Sequence, residues 1–172
     1  LSPKIREFIY IAIDASTTHL YLPGLKLHME NALALGATRD EIMEVLELTS
    51  VLGIHTCTLG VPILIEELRE LGRGDEIDDI EYGEYEKRLK ETFKKNRGYW
   101  SPFWDDMLKL SPEFFECYLD FSSVPWVSGT LEPKVKEFIY IAIDTATTHL
   151  HKEGARIHIR NALKHGASKE EI

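Results

Sequence analysis

A chain of 172 residues with 44% hydrophobic content can bury a real core, as one domain or as two closely packed halves. Acidic residues outnumber basic ones 29 to 20, for a formal charge of −9. That balance argues against a phosphate-backbone partner, whose binding depends mainly on clustered Lys and Arg.

No apolar run reaches the ~18 residues that a bilayer requires. The start, LSPKIREF, has no basic, apolar and small-residue leader pattern. The expectation is a soluble, cytoplasmic chain with neither a membrane nor a nucleic-acid partner. Two cysteines in dissimilar surroundings, Cys57 and Cys117, suggest neither a disulfide framework nor a thiolate metal cage.

In chain order, Ser2 as N-cap and Pro3 at the first helical position open a helix, and Phe8, Ile11, Ala12 and Ala15 form its apolar stripe. Residues 16–22, with the β-branched Thr17 and Thr18, favour helix less. Pro23 opens a second helix that runs to Leu35 and is closed by Gly36. Thr38 and Glu41 make a capping box for a third helix through Ile42, Val45, Leu46, Thr49 and Leu52. Pro62 is expected to kink or end that apolar stretch, and a further segment from Ile63 stops at Gly72.

The acidic run GDEIDDIEYGEYE becomes a helix near Gly83, ending on Lys94, Lys95, Arg97 and Gly98 in accord with the helix dipole. Ser101-Pro102 and Ser111-Pro112 start two short aromatic-rich helices expected to pack on the last segment. No period-two strand pattern persists, so the chain is read as all-α.

Residues 1–42 recur as residues 131–172, with 24 of 42 aligned positions identical. We call these copy one and copy two. The polar identities are Glu7/Glu137, Asp14/Asp144, Thr17/Thr147, Thr18/Thr148, His19/His149, His28/His158 and Asn31/Asn161. The expected organisation is a first repeat over 1–72, an acidic connector and helix over 73–100, and a second repeat over 101–172. Leu1 in place of Met, and the stop at Ile172 where copy one runs on through MEVLELTSVLGIHTC, read as a trimmed chain whose second site is only partly represented.

The repeat, the capped Ala-rich helices and the pattern LSPKIREFIYIAIDA … GLKLHMENALALGATRDEIMEVL resemble the carboxymuconolactone decarboxylase family, within the alkylhydroperoxidase D-like superfamily. The resemblance implies two tandem all-α repeats and a homo-oligomer, a trimer of two-repeat chains. Peroxidase members carry Cys-x-x-Cys-x-x-x-His, but counting back from His28 gives Tyr21 and Gly24, and from His158 gives His151 and Gly154. Attack on peroxide and resolution of the sulfenic acid need a thiolate and a second thiol, so dithiol chemistry is not expected. The chain is closer to the cysteine-free decarboxylase branch, which implies a cofactor-independent lyase acting on a small organic acid or lactone.

His28 and His158 are the leading acid/base candidates, since imidazole exchanges protons near neutral pH. Asn31 and Asn161, three residues on, share their helix faces. Glu7, Asp14 and Thr18 fall at i, i+7 and i+11, and recur as Glu137, Asp144 and Thr148. Asp14 and Asp144 are taken as catalytic, with His19, His149, Thr18 and Thr148 lining the pockets. A structural reading stands beside this one: Glu7 pairing with a basic residue at the helix start, and Asp14 capping or bridging helices. Two imidazoles with Asp14 offer a metal site in principle, but their separations match no ligand motif, and no metal is assigned. His151 and His165 are expected at the surface, and Cys57 and Cys117 are read as inert. Two further classes remain open: a peroxide-reducing or redox-sensing protein using a lone Cys57, and a non-enzymatic oligomeric ligand-binding protein.

Overall fold

The computed structural model describes residues 1–172, all in helices and connecting turns. They form two compact units, one of residues 1–52 with 128–172 and the other of residues 53–127. This division cuts across the expected boundaries at 72 and 100, because the two copies join each other directly.

In the first unit, α1 (Pro3–Ala15) starts as the sequence dictates: the Ser2 side chain accepts from the Ile5 amide at 3.3 Å. It packs on α2 (Leu22–Ala34) and on α3 (Arg39–Ser50). The capping box of α3 is complete, with Thr38 Oγ1 accepting from the Glu41 amide at 3.1 Å and Glu41 Oε2 accepting from the Thr38 amide at 2.8 Å. Copy two supplies α9 (Pro133–Thr145) and α10 (Lys152–Lys164), which pair as α1 and α2 do. Helix α9 also packs on α1 and α3, so the two copies share one core that includes Phe8, Ile11, Val45, Leu48, Ile139 and Ile143.

A buried ion pair fastens α3 to the start of α9. Lys136 Nζ lies 2.9 Å from Glu44 Oε1, their side chains being 4% and 3% exposed. Glu44 Oε2 accepts from the amides of Thr130 and Leu131 at 2.6 and 3.0 Å. Those extra donors are what make a buried carboxylate tolerable.

The second unit holds α4 (His55–Glu70), α5 (Asp75–Asp78), α6 (Glu84–Arg97), α7 (Phe103–Leu110) and α8 (Pro112–Val127). Its core is aromatic, with Phe93, Trp104 and Phe115 packed among Leu89, Met107, Leu108 and Leu119. The aromatic helices thus pack with α6 in this unit rather than on copy two. Their polar edges meet at Asp105, which accepts from Lys90 at 2.6 Å, Tyr82 at 2.7 Å and Trp100 at 3.1 Å.

Two local expectations change. The third helix gives way at Val51–Ile54 to a 3-10 turn around Gly53 instead of continuing. Helix α4, by contrast, runs through Pro62, because the helical bonds on either side of it in this 16-residue helix carry one missing N–H. The stretch Arg39–Glu70 is also long and apolar enough, by length and composition alone, to cross a membrane. Neutral polar residues, Thr49, Ser50, His55, Thr56 and Thr58, interrupt the apolar run there without adding charge.

Candidate active site

Helical spacing puts Glu7, Tyr10 and Asp14 on one face of α1, and His28 and Asn31 on one face of α2. Where these faces meet, Glu7 Oε2 lies 2.7 Å from His28 Nδ1 and accepts from Asn31 Nδ2 at 3.3 Å. Tyr10 stacks on the imidazole, with centroids 4.6 Å apart and planes at 22°. Copy two repeats the carboxylate–imidazole–tyrosine part of the assembly, with Glu137 Oε2 2.6 Å from His158 Nδ1 and the Tyr140 and His158 centroids 4.5 Å apart, but the buried Asn161 Nδ2 makes no bond like that of Asn31.

Glu7 therefore does not pair with a basic residue at the helix start. Lys4 is taken by Glu41 at 2.8 Å, which leaves Glu7 to the histidine. A carboxylate accepting Nδ1–H fixes the ring and turns Nε2 outward. In copy one that nitrogen faces Asp14, 4.0 Å from Oδ2.

Asp14 and Asp144 stand at the entry to the following helix. A Cβ on Gly24 would collide with Asp14 Oδ2, and one on Gly154 would collide with Asp144 Oδ2. With no Cβ, each glycine leaves the room that the aspartate carboxylate takes. The intervening loop is tight as well, with Leu20 and Leu150 at φ 51° and 56°. The turn ends with the amide of residue 21 bonded to the Asp14 carbonyl at 2.9 Å, and that of residue 151 to the Asp144 carbonyl at 2.7 Å.

This loop separates the remaining candidates. His19 Nε2 reaches to 3.6 Å from Asp14 Oδ1, and ligand atoms of His149 and Asp144 lie within 4.8 Å. Thr18 is exposed, with Oγ1 3.2 Å from Ser16 Oγ. Thr148 is exposed too and lines a different groove, together with His19. Neither threonine joins the Glu–His pair, because the i+11 relation assumed helix beyond Ala15, where α1 has already ended. His151 is not at the surface: its side chain is 11% exposed, it caps α10 by accepting from the Gly154 amide at 3.1 Å, and its Nδ1 is 3.9 Å from Asp144 Oδ1. His165 is exposed, as expected.

The copies differ in environment. Side chains of Glu7, Asp14 and His28 are 16%, 13% and 21% exposed, against 1%, 3% and 10% for Glu137, Asp144 and His158. Burial pushes the Asp144 carboxyl up to about 7; His158 opposes the shift and Glu137 adds to it. Burial also lowers His149 and His151, which favours their neutral forms.

Asp144 borders a cavity of about 640 Å³ whose rim carries Lys152, Arg156 and Arg160. These cations sit at i, i+4 and i+8 on α10, where copy one has Leu22, Lys26 and Glu30. Sequence reasoning missed this stripe, and it gave Glu7 and Glu137 a structural role. Both signals were present: the four-residue spacing, and the identity of Glu7, Tyr10 and Gly24 with their counterparts. Cys57 is half-buried and Cys117 exposed, both in the 53–127 unit.

The model of the carboxymuconolactone decarboxylase family matches residues 1–53 and 112–172. A candidate gamma-carboxymuconolactone decarboxylase subunit from Burkholderia xenovorans, known from a crystal structure, is 51% identical. It superposes with a TM-score of 0.95 over 99% of this chain and 68% of its own. No curated protein matches the chain.

Proposed function

The chain belongs to the carboxymuconolactone decarboxylase family, and from that premise we propose that it is a cofactor-independent lyase that decarboxylates a small lactone acid, with copy two as the working site. One observation carries the reading: Asp144, its carboxyl raised to about 7, borders a cavity that Lys152, Arg156 and Arg160 also line, and stands beside the Glu137–His158 pair.

Lys152, Arg156 and Arg160 attract a carboxylate-bearing substrate. Loss of carbon dioxide breaks a C–C bond and leaves its electron pair on the lactone as an enolate. Asp144, still protonated in about half of the molecules at neutral pH, gives its proton to the enolate carbon, and His158, held by Glu137, relays a replacement proton from solvent. Tyr140 over the imidazole and the burial of Glu137 keep this relay in one orientation. The exposed Leu20, Leu22, Leu27 and Leu33 support a homo-oligomer, since such a set on one unit favours covering.

The test is carbon dioxide release from a panel of lactone carboxylic acids. Asp144→Asn and His158→Gln should each abolish turnover while Asp14→Asn keeps most of it. A folded, fully active Asp144→Asn protein would overturn the assignment.

A further inference from the structure

Asp14, His19 and His28 follow one another at intervals of five and nine residues, a spacing that matches no ligand motif. The turn between α1 and α2 nevertheless gathers them. The Asp14 carboxylate offers a different oxygen to each imidazole: His19 Nε2 is 3.6 Å from Oδ1, and His28 Nε2 is 4.0 Å from Oδ2. A tetrahedral ion held at ~2.1 Å by imidazole nitrogen and carboxylate oxygen sets such atoms ~3.4 Å apart. Both contacts lie within a few tenths of an ångström of that spacing.

The surroundings prepare these groups as ligands. Glu7 Oε2 accepts from His28 Nδ1–H at 2.7 Å, which leaves the Nε2 lone pair for an ion, and Asn31 Nδ2 holds Glu7 in turn at 3.3 Å. Asp14 fills the room left by Gly24, and its carbonyl accepts from the Tyr21 amide at 2.9 Å. The His19 amide is tied to the Ser16 carbonyl at 2.9 Å, while its side chain, 36% exposed, has room to swing toward His28. All of these residues fall between 7 and 31, so copy one completes the set by itself. In copy two another imidazole intervenes. His151 Nδ1 lies 3.9 Å from Asp144 Oδ1, and its lone pair already accepts from the Gly154 amide at 3.1 Å. Tyr21 stands at that position in copy one and makes no such cap, which leaves Asp14 to His19 and His28.

We infer that copy one binds a divalent transition-metal ion of the zinc class through His19 Nε2, His28 Nε2 and the Asp14 carboxylate, with solvent completing the shell. Glu7 is the positioning residue behind His28. Two imidazoles select such an ion over magnesium or calcium, which take shells of oxygen. The ion site is independent of the lyase reading, which concerns copy two.

The test is calorimetric titration of the full chain with zinc chloride after dialysis against a chelator. A Kd of about 10 μM or tighter is expected. Asp14→Asn and His19→Gln, each checked for folding by circular dichroism, should weaken binding more than tenfold, and Glu7→Gln about tenfold. His19→Gln lies on an exposed turn and remains informative should Asp14→Asn unfold. Cobalt in place of zinc should develop visible absorption bands that His19→Gln abolishes and Glu7→Gln shifts. Weaker binding by the parent chain, equal binding by the Asp14→Asn and His19→Gln chains, or binding that survives both changes and is lost in Asp144→Asn would each overturn the proposal, the last by placing the ion in copy two.

Discussion

Glu137, 1% exposed, holds His158 through a 2.6 Å contact between Oε2 and Nδ1. A carboxylate so placed costs desolvation and is retained where it orients the ring. Glu137→Gln keeps the shape and removes the charge, so kcat should fall about 10²-fold with KM little changed. Glu7→Gln, its copy-one equivalent, should have a much smaller effect. Steady-state kinetics of the two variants separate a positioning role from a binding one.

Asp144 ties stability to pH. Its carboxyl titrates near 7 in the folded chain, against an ordinary value of 3.8. Between these values the folded state keeps a proton that the unfolded state releases, so stability falls as pH rises from about 4 to 7 and levels off above. The loss is on the order of a few kcal/mol. Urea midpoints measured from pH 4 to 8 should decline in the parent chain more than in Asp144→Asn. A proton-donating Asp144 also makes turnover decline as pH passes through about 7.

Gly24→Ala and Gly154→Ala should each destabilise the fold by ~1–3 kcal/mol, because the new methyl group must displace an aspartate carboxylate. Gly154→Ala should also cut activity. An Asp144→Ala change in the same chain should recover part of the lost stability, which a thermal melt of the double variant would show.

Lys136→Met strands the Glu44 carboxylate in the core, with the Thr130 amide and hydroxyl and the Leu131 amide as its remaining donors. Destabilisation of about 3–5 kcal/mol is expected. Adding Glu44→Gln should restore much of it, since a neutral amide oxygen still accepts from those amides. Denaturant titration of the single and double variants measures the coupling.

Much of the architecture was legible because its signals are local. Ser2-Pro3, the Thr38–Glu41 box and Gly98 each act within one turn, and each stands where the spacing put it. The partner of Glu7 was not legible, because it depends on which of two carboxylates captures Lys4, and that is settled by α3 arriving from 37 residues away. Thr18 and Thr148 misled for the opposite reason: a periodic face was extended past the point where the chain leaves the helix. His151 looked peripheral because Tyr21 occupies its place in copy one, yet the tight turn at Leu150 carries it inward beside Asp144. The basic stripe on α10 lay open in the sequence, but it exists in one copy only, and comparison of copies favours what they share.

Gly24 and Gly154 have a consequence for anyone who would redesign the protein. Positions 14 and 24, like 144 and 154, behave as one locus: the missing side chain of one is the room taken by the carboxylate of the other. A library that varies the acid alone explores only groups the glycine already admits, and one that varies the glycine alone evicts the acid. New chemistry here is reached by exchanging both at once, trading a carboxylate on α9 for a side chain that projects from the first turn of α10.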